Sequence, residues 1–242
     1  GKKKLLVCSE QGIGDEILYL SCLPDLLRDQ TAIVLECDNR WKKLFERSFP
    51  SITVVSRQID YKEDDEVFYD YREVVTTNNI NSYVLSGDLP ALYRHSLCKP
   101  VSSEGYLKAD PVRTQTFEYV LSKISSKTLI GICWRSAFSE PVPFIYAKLD
   151  ELISSLPEGD YCLVNLQYGD FSADIVRIES ELGVKIHEIP DLNQLEDLDG
   201  VAALISCLDL VIAPSSSVLH LSCALGVPTI STYYPNFRSD AR

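Results

Sequence analysis

The sequence predicts an α/β protein of two successive Rossmann-like domains that face a cleft. Short apolar runs alternate with amphipathic stretches, a pattern typical of parallel sheets covered by helices. The pattern occurs twice and degrades from residue 57 to residue 111. A chain of 242 residues is long enough for two small domains with separate cores. We therefore expect one domain over residues 1–112 and a second over residues 113–242.

In the first half, strands and helices are predicted in alternation. The predicted strands cover 4–9, 31–36 and 52–55, and the predicted helices cover 15–28 and 39–49. Residues 57–111 predict only short helices and loops, because Tyr, Asn, Ser and an acidic run interrupt the apolar pattern. The tripeptide Ala109-Asp110-Pro111 is typical of a linker.

The second half begins with a predicted helix around 117–124 and continues with five strands that alternate with helices. The predicted strands cover 128–134, 161–167, 185–189, 209–213 and 229–233. The predicted helices lie near 146–156, 171–182, 199–208 and 218–225. Because ligands bind outside the carboxyl ends of strands in such sheets, the loops after the strands are the candidate sites.

Composition and charge exclude several classes of protein. The formal charge is −12, from 23 Lys+Arg and 35 Asp+Glu, and an acidic surface repels nucleic-acid phosphates. No apolar run reaches the roughly 18 residues of a transmembrane helix, and no signal peptide is recognisable, so we expect a cytoplasmic protein. Eight cysteines without a Cys-x-x-Cys pair are interpreted as buried, reduced thiols.

The loop Ser9-Glu10-Gln11-Gly12-Ile13-Gly14-Asp15-Glu16 joins the first strand to the first helix. Gly12 and Gly14 let the backbone turn tightly and approach a ligand, and a helix start attracts negative charge. A third glycine is missing, which disfavours a dinucleotide cofactor. Asp15 has two interpretations. It either caps the helix or acts as a general base that takes a proton from an attacking hydroxyl.

Two loops of the second half carry groups suited to a phosphorylated ligand. Arg135, in Cys133-Trp134-Arg135-Ser136, offers a planar fork that fits phosphate, although pairing with a nearby acid explains it equally well. Ser215, Ser216 and Ser217 precede a helix and can present hydroxyls and amides to a pyrophosphate, although a serine there is also an ordinary cap. His220 follows in the first turn and is more often a packing or surface residue.

Two further segments have weaker signals. In Asn165-Leu166-Gln167-Tyr168-Gly169-Asp170, the amide and the ring can bind a base, although a plain turn explains the segment nearly as well. Asp197-Leu198-Asp199 has an Asp-x-Asp spacing found in metal sites, but it precedes a helix, where acids act as caps. We expect no metal and no cofactor.

Taken together and in this order, the motifs resemble glycosyltransferase family 9, the heptosyltransferase-like enzymes of the GT-B fold. In particular, the chain resembles glycosyltransferase-like domains that follow tetratricopeptide repeats in some bacterial proteins. The segments that match are Gly12-Ile13-Gly14-Asp15-Glu16, 130–136, 164–170 and 199–213, continuing through His220 to 229.

The resemblance implies metal-independent, inverting transfer of a sugar from a nucleotide-diphosphate donor to a hydroxyl of a saccharide or protein acceptor. It implies an acceptor-side first domain and a donor-side second domain, with Asp15 facing Arg135 across the cleft. Asp15 matches the family's proposed base. The residues expected to bind the nucleotide sugar are Gly12, Gly14, Arg135, Gln167, Ser215, Ser216, Ser217 and His220.

One departure from the family leaves a second function open. The family usually has Asp-Thr-Gly or Asp-Thr-Ala where this chain has Ser215, Ser216 and Ser217. The alternative is a catalytically weak nucleotide-sugar-binding or scaffolding module of a larger repeat-containing protein. A GT-B sugar-nucleotide epimerase is disfavoured, because such a site needs several acids and histidines and the chain has three His.

Overall fold

The two halves of the chain form two units, each with its own parallel sheet. The structure, a computed structural model, describes residues 4–29, 32–63, 66–94, 104–136 and 146–232. The first unit spans Gly1–Lys108 and the second spans Ala109–Arg242. The predicted α/β class with two Rossmann-like units is confirmed.

The first unit contains a four-stranded sheet in which all neighbouring strands are parallel. Its strands are β1 (Leu5–Cys8), β2 (Ile33–Cys37), β3 (Thr53–Ser56) and β6 (Ser82–Leu85), in the order β3-β2-β1-β6. All five residues of β2 are buried. A strand buried on both faces has a continuous apolar run, which is why β2 is readable from the sequence.

The helices of the first unit are shorter than predicted. They are α1 (Ile13–Leu20), α2 (Leu23–Asp29), α3 (Lys42–Ser48), α4 (Arg72–Asn78) and α5 (Leu89–Tyr93), with 3-10 helices at Asn39–Trp41 and Ser86–Asp88. The single helix predicted over 15–28 is two helices, so that prediction was wrong. Pro24 has no N–H to donate to the carbonyl of Leu20, so α1 ends there and Pro24 lies in the first turn of α2.

The segment predicted to hold only short helices and loops also contains three strands. β4 (Ile59–Glu63) and β5 (Glu66–Tyr69) form an antiparallel hairpin, and β6 pairs with β1 in the main sheet. Strand β6 lies at the edge of its sheet, and Ser82, Tyr83 and Leu85 are exposed. An edge strand with so little burial has no apolar alternation, so sequence periodicity did not reveal it.

The second unit contains a five-stranded parallel sheet. Its strands are β7 (Thr128–Ile132), β8 (Tyr161–Asn165), β9 (Ile186–His187), β10 (Leu210–Ala213) and β11 (Thr229–Ser231), in the order β11-β10-β7-β8-β9. The chain moves outward from β7 to β9 and then returns to the other side of β7. The direction of winding therefore reverses between β7 and β10, the place where parallel sheets bind ligands.

Among the described residues of this unit, five helices accompany the sheet. They are α6 (Pro111–Ile124), α7 (Leu149–Ser155), α8 (Ser172–Leu182), α9 (Leu198–Ile205) and α10 (Ser217–Leu225). All eight residues of α9 are buried, and α9 packs against α6 and α10. Asp110 caps α6 by accepting hydrogen bonds from the amides of Val112 and Arg113. Gly226 ends α10 in the left-handed conformation, at φ 78°.

Strand β7 lies at the centre of the second sheet, and its Gly131 leaves no room for a side chain. A Cβ at this position would lie 2.5 Å from Leu166 Cδ1 and 2.6 Å from Leu208 Cδ1. Gly131→Ala is therefore expected to lower the free energy of unfolding by about 1–3 kcal/mol, through overpacking. Urea denaturation measures this change. Gly159→Ala, at an exposed glycine, is the control, and an equal loss in both variants would contradict the explanation.

The described cysteines are all free, but they are not all buried. Cys8, Cys22, Cys37, Cys133 and Cys162 are buried, Cys207 is half-buried and Cys223 is exposed, so the prediction was wrong for the last two. Cys98 lies outside the described residues. Burial raises the pKa of the Cys8 thiol to about 11, which keeps it protonated at neutral pH. Within the described ranges, no helix is long and apolar enough to span a membrane.

Candidate functional site

Two of the predicted loops lie side by side in the second unit. They follow β7 and β10, the strands between which the winding of the sheet reverses. The Cys133 amide donates to the Ile212 carbonyl at 2.9 Å, which continues the pairing of β7 with β10 up to the loops. Burial raises the pKa of the Cys133 thiol, and the nearby Ser216 side chain opposes that shift. The segment carrying Arg135 and the three serines therefore meet at one edge of the sheet.

Gln167 holds the loop that carries Arg135. Its Oε1 accepts hydrogen bonds from the amides of Trp134 and Arg135, both at 2.9 Å. Its Nε2 donates to the carbonyls of Arg135 at 2.9 Å and Tyr168 at 3.0 Å. The residue is completely buried. These bonds make Gln167 a positioning residue for Arg135, and its direct contact with a nucleotide sugar stays a prediction.

The guanidinium of Arg135 is held from α8. Its Nη1 pairs with Asp174 Oδ2, and its Nη2 donates to the Asp170 carbonyl. Asp174 also accepts from the indole Nε1 of Trp134 at 3.1 Å. The side chain of Arg135 remains 36% exposed, so it is oriented and still accessible to an anion. Sequence reasoning allowed for an acidic partner but did not identify Asp174.

The serine loop leads into the N-terminus of α10. Ser215 is exposed, Ser217 is half-buried, and Ser216 is the buried N-cap residue. The Ser216 hydroxyl donates to the Pro214 carbonyl at 3.0 Å and makes no cap bond to the amides of the first turn. The N–H groups of those amides therefore point at the loop, and the positive end of the helix dipole favours an anion there. His220 lies in the same turn and is half-buried.

A cavity of about 370 Å³ lies at the carboxyl ends of β8 and β9 in the same unit. Its lining includes Tyr168, Phe171, Ile189 and Gln194. The Gln194 Nε2 donates to the Asn165 carbonyl at 3.2 Å, whereas its buried Oε1 has no hydrogen-bond partner among the residues that the structure describes. A flat aromatic base with an N–H donor fits this combination of rings and one open acceptor. The sequence pointed to Tyr168 but gave no sign of Gln194, which follows β9 in an irregular segment.

In the first unit, the loop that carries Asp15 turns at a residue other than its glycines. Gln11 has φ 56°, whereas Gly12 is the extended N-cap of α1 and Gly14 lies inside the helix. The expectation that the two glycines make the tight turn was therefore wrong. The half-buried Asp15 carboxylate accepts a hydrogen bond from the Gly12 amide at 3.1 Å, as a helix-terminal acid does.

Glu16, the next residue, is buried and belongs to a polar network that sequence reasoning missed. Its side chain is 2% exposed and pairs with Arg57 at 2.6 Å. It also accepts from the Asp38 amide at 3.1 Å. Glu36 is buried as well and accepts from the Ser9 amide at 3.0 Å. In the sequence, an acid directly after Asp15 is typical of a second helix-terminal acid, so it gave no sign of this network.

Stability should depend on pH through Glu16. Burial raises the pKa of Glu16 from 4.5 to about 7, against the opposing effect of its hydrogen bonds and of Arg57. Because the folded pKa lies above the unfolded one, Glu16 stabilises the fold below about pH 4.5, and this contribution is lost as the pH rises through about 7. In the unchanged chain, the free energy of unfolding should therefore fall by up to about 3 kcal/mol as the pH rises from about 4.5 to about 7. Glu16→Gln is expected to abolish this fall.

Denaturant titrations between about pH 5 and about pH 8 measure this effect as the difference in unfolding free energy between Glu16→Gln and the unchanged chain. Glu46→Gln, on the exposed surface of α3, is the control for the loss of one carboxylate. A difference between Glu16→Gln and the unchanged chain that stays constant across this range would contradict the assignment.

The Asp-x-Asp segment has a structural role. Asp197 pairs with both terminal nitrogens of Arg113 on α6 and accepts from the Gly200 amide at 3.1 Å. Asp197 thus caps α9 and ties it to α6. Among the residues that the structure describes, no group of three or more His, Cys, Asp or Glu could hold a metal ion.

Comparison with known sequences gives two matches. The family model of glycosyltransferase family 9 (heptosyltransferase) matches residues 192–238. The chain is 32% identical over 234 residues to Protein FlbA of Caulobacter vibrioides, an alignment that covers 93% of this chain and 38% of FlbA. The chain thus spans 38% of the length of this relative.

Comparison with solved structures identifies a shared fold. The E. coli ADP-heptose LPS heptosyltransferase II has a TM-score of 0.63 at 14% identity, over 95% of this chain and 84% of that one. A glycosyl transferase family 9 protein of Veillonella parvula also has a TM-score of 0.63, at 13% identity over 97% and 82%. E. coli heptosyltransferase WaaC with ADP has 0.54, at 12% identity over 97% and 88%.

The two Rossmann-like units and these shared folds show that the chain has the GT-B fold. Within that fold, the match of residues 192–238 to the family model agrees with the resemblance to glycosyltransferase family 9.

Proposed function

We propose that this chain is a glycosyltransferase domain that moves a sugar from a nucleotide-diphosphate donor to an acceptor hydroxyl. In this proposal the second unit binds the donor and the first binds the acceptor. The transfer is metal-independent and inverts the anomeric centre, and the acceptor is a saccharide or a protein. The observation that carries the proposal is that the Arg135 loop and the Ser215–Ser217 loop meet beside the start of α10.

Charge supports a diphosphate at this edge of the sheet. Residues 127–242 contain 7 basic and 16 acidic residues, so the region as a whole repels anions. A diphosphate must therefore be bound by local groups. Arg135 supplies a fixed positive charge, and the first amides of α10 supply hydrogen-bond donors that need no reorganisation. As the bond from the anomeric carbon to the diphosphate breaks, these groups stabilise the charge on the leaving oxygen.

The rest of the donor is accommodated by the neighbouring cavity. Its ring-bearing lining and the open acceptor of Gln194 suit a nucleobase. The cavity and the Arg135 loop share the β8 loop, since Gln167 and Tyr168 are adjacent in the chain. One segment thus supports the proposed phosphate site through Gln167 and the proposed base site through Tyr168. His220 stays a proposed contact of the donor.

Asp15 is the proposed general base. The acceptor hydroxyl transfers its proton to this carboxylate while its oxygen forms the new bond to the anomeric carbon from the side opposite the leaving diphosphate. Asp15 is half-buried at the start of α1, and its bond to the Gly12 amide uses one lone pair of one oxygen. The second oxygen is the proposed proton acceptor.

A specific observation also favours the second candidate function, a nucleotide-sugar-binding module with weak or no turnover. The carboxylate of Asp15 has an ordinary structural role as a helix-terminal acceptor, and the loop before α10 has Ser215 where the family has Asp. In this alternative the second unit binds the donor and the first unit serves a larger protein, such as one with tetratricopeptide repeats.

Calorimetry with ADP, UDP and GDP tests the donor site. We expect one of them to bind with a Kd between about 1 μM and about 1 mM, equally well with Mg²⁺ and with EDTA. Turnover with the matching nucleotide sugars then separates the transferase from the binding module. NMR of the product determines whether the anomeric configuration inverts. Absence of binding by all three nucleotides would contradict both functions.

A further inference from the structure

The buried charges of the first unit lie at the carboxyl ends of three neighbouring strands. Glu36 is in β2, Arg57 follows β3, and Glu16 is in α1, one turn after the loop that follows β1. Glu16 and Glu36 are 2% and 4% exposed, and the side chain of Arg57 is 15% exposed. This Glu16–Arg57–Glu36 network is separate from every residue that the sequence assigned to the site.

Each member of the network holds a backbone or side-chain group of a loop. Glu36 accepts from the Ser9 amide at 3.0 Å, and Glu16 accepts from the Asp38 amide at 3.1 Å. Arg57 donates to Glu16 at 2.6 Å and also to the Ser9 hydroxyl. Residues from the ends of β1, β2 and β3 are thereby joined through one guanidinium.

Two tyrosines outside the main sheet also contact the network. The guanidinium of Arg57 lies 5.1 Å from the ring centroid of Tyr69 in β5. The Tyr71 hydroxyl donates to Glu36 at 3.3 Å. These aromatic groups cover the charges and keep them out of water.

Stability alone is a poor explanation for such a cluster. Arg57 pairs with Glu16 and also lowers the pKa of Glu36 through its charge, yet burial raises the pKa of both carboxyl groups because their charged forms lose hydration. Replacing buried ionic groups by apolar ones of similar size is often neutral or stabilising. The network instead fixes the position of a loop, because Ser9 and Glu16 are the two ends of the segment that contains Asp15.

We propose that Arg57, together with Glu16 and Glu36, is the positioning group for Asp15. Arg57 connects Ser9 at the start of the loop with Glu16 beside Asp15, so it limits both ends of a segment of eight residues. Asp15 is thereby kept at one place and one orientation relative to the sheet. This inference rests on the proposed function for the role of Asp15, but the geometric part stands independently of turnover.

The test compares Arg57→Met and Arg57→Lys with Arg72→Met as the control. Arg72 also pairs with an aspartate of the first unit, Asp70 at 2.9 Å, but its side chain is 81% exposed. In the intact chain, Arg57→Met is expected to lower kcat by about 10-fold or more with the donor KM within about 2-fold, because the base is misplaced while the donor site is intact. Arg57→Lys should recover part of the loss, and Arg72→Met should resemble the unchanged chain.

Hydrogen exchange supplies a measurement that does not need activity. The amides of Ser9 and Asp38 are expected to exchange about 10-fold faster in Arg57→Met, with the amide of Val7 in β1 unchanged. Unchanged exchange at Ser9 and Asp38 would overturn the proposal whatever the kinetics show. Unchanged kcat with faster exchange would also overturn it, since the loop would then move without consequence. If the unchanged chain has no transferase activity, the proposed function fails, and exchange alone decides whether Arg57 positions the loop.

Discussion

Asp15→Asn is expected to lower the kcat of sugar transfer by about 10²- to 10⁴-fold, the usual contribution of a general base. Asparagine keeps an oxygen that can accept from the Gly12 amide, so the start of α1 should be preserved. The affinity for the nucleotide-diphosphate donor should be unchanged, because the proposed donor groups belong to the second unit. Steady-state kinetics and donor calorimetry on the same preparation measure the two quantities.

Two further variants distinguish chemistry from helix capping. Asp15→Ala removes the acceptor for the Gly12 amide as well as the base, so it should lose about 0.5–2 kcal/mol of stability in addition to activity. Asp88→Asn, at an exposed aspartate of the first unit, should change neither. Full turnover by Asp15→Asn, with stability lost only in Asp15→Ala, would leave Asp15 as a cap and favour the binding-module alternative.

Arg135→Met is expected to weaken the binding of a nucleoside diphosphate by about 10- to 100-fold, since a hydrogen bond to a charged group contributes about 1.5–3 kcal/mol. Binding of the corresponding nucleoside without phosphates should change little, because the proposed base site is the cavity lined by Tyr168 and Gln194. Loss of affinity for the diphosphate alone identifies Arg135 as a phosphate ligand. Calorimetry with both compounds gives the comparison.

The chain offers a matched control for this variant. Arg177 lies on α8, is 39% exposed and forms ion pairs with Asp150 and Glu181. Arg177→Met removes the same charge from the same unit and leaves the pairing of Arg135 with Asp174 in place, so it should bind the diphosphate normally. Equal losses in the two variants would show a general effect of charge, and unchanged binding by Arg135→Met would exclude the proposed phosphate contact.

Asp174 binds both the Arg135 guanidinium and the Trp134 indole, so it influences the charge and the geometry of this loop. Its carboxylate reduces the net charge at the loop while it fixes the guanidinium in place. A phosphate that approaches this edge therefore meets an oriented arginine whose charge is partly compensated. The ion pair fixes the orientation of Arg135 and reduces its electrostatic attraction for an anion, in a unit where acidic residues outnumber basic ones.

Much of the fold could be predicted because its signals are local. Most residues of β2, β7 and β8 are apolar, since parallel strands are covered on both faces. The hairpin β4–β5 and the edge strand β6 could not be predicted in the same way, because their sequences lack a buried face of regular period. The break between α1 and α2 was readable from Pro24 in principle, but its strong apolar neighbours suggested one continuous helix.

The candidate site, too, could be predicted only in part. Arg135, Gln167 and the serines were predicted as site residues because each lies at or just after the end of a parallel strand, and strand ends meet at one edge of a sheet. Which groups those side chains bind was not predictable. Gln167 holds backbone groups 32 and 33 residues away, and Asp174 pairs with an arginine 39 residues away.

By itself the sequence determined the α/β class, the two repeated halves and the loops in which functional groups belong, because burial and turn chemistry leave periodic and local marks on a chain. Only the tertiary structure decided that Glu16, Glu36 and Arg57 form one buried network. The partners Glu16 and Arg57 are 41 residues apart, and a charged residue looks the same in a sequence whether water or another charge surrounds it. The energy of a buried charge depends on the groups that folding places around it, and these are set by long-range packing.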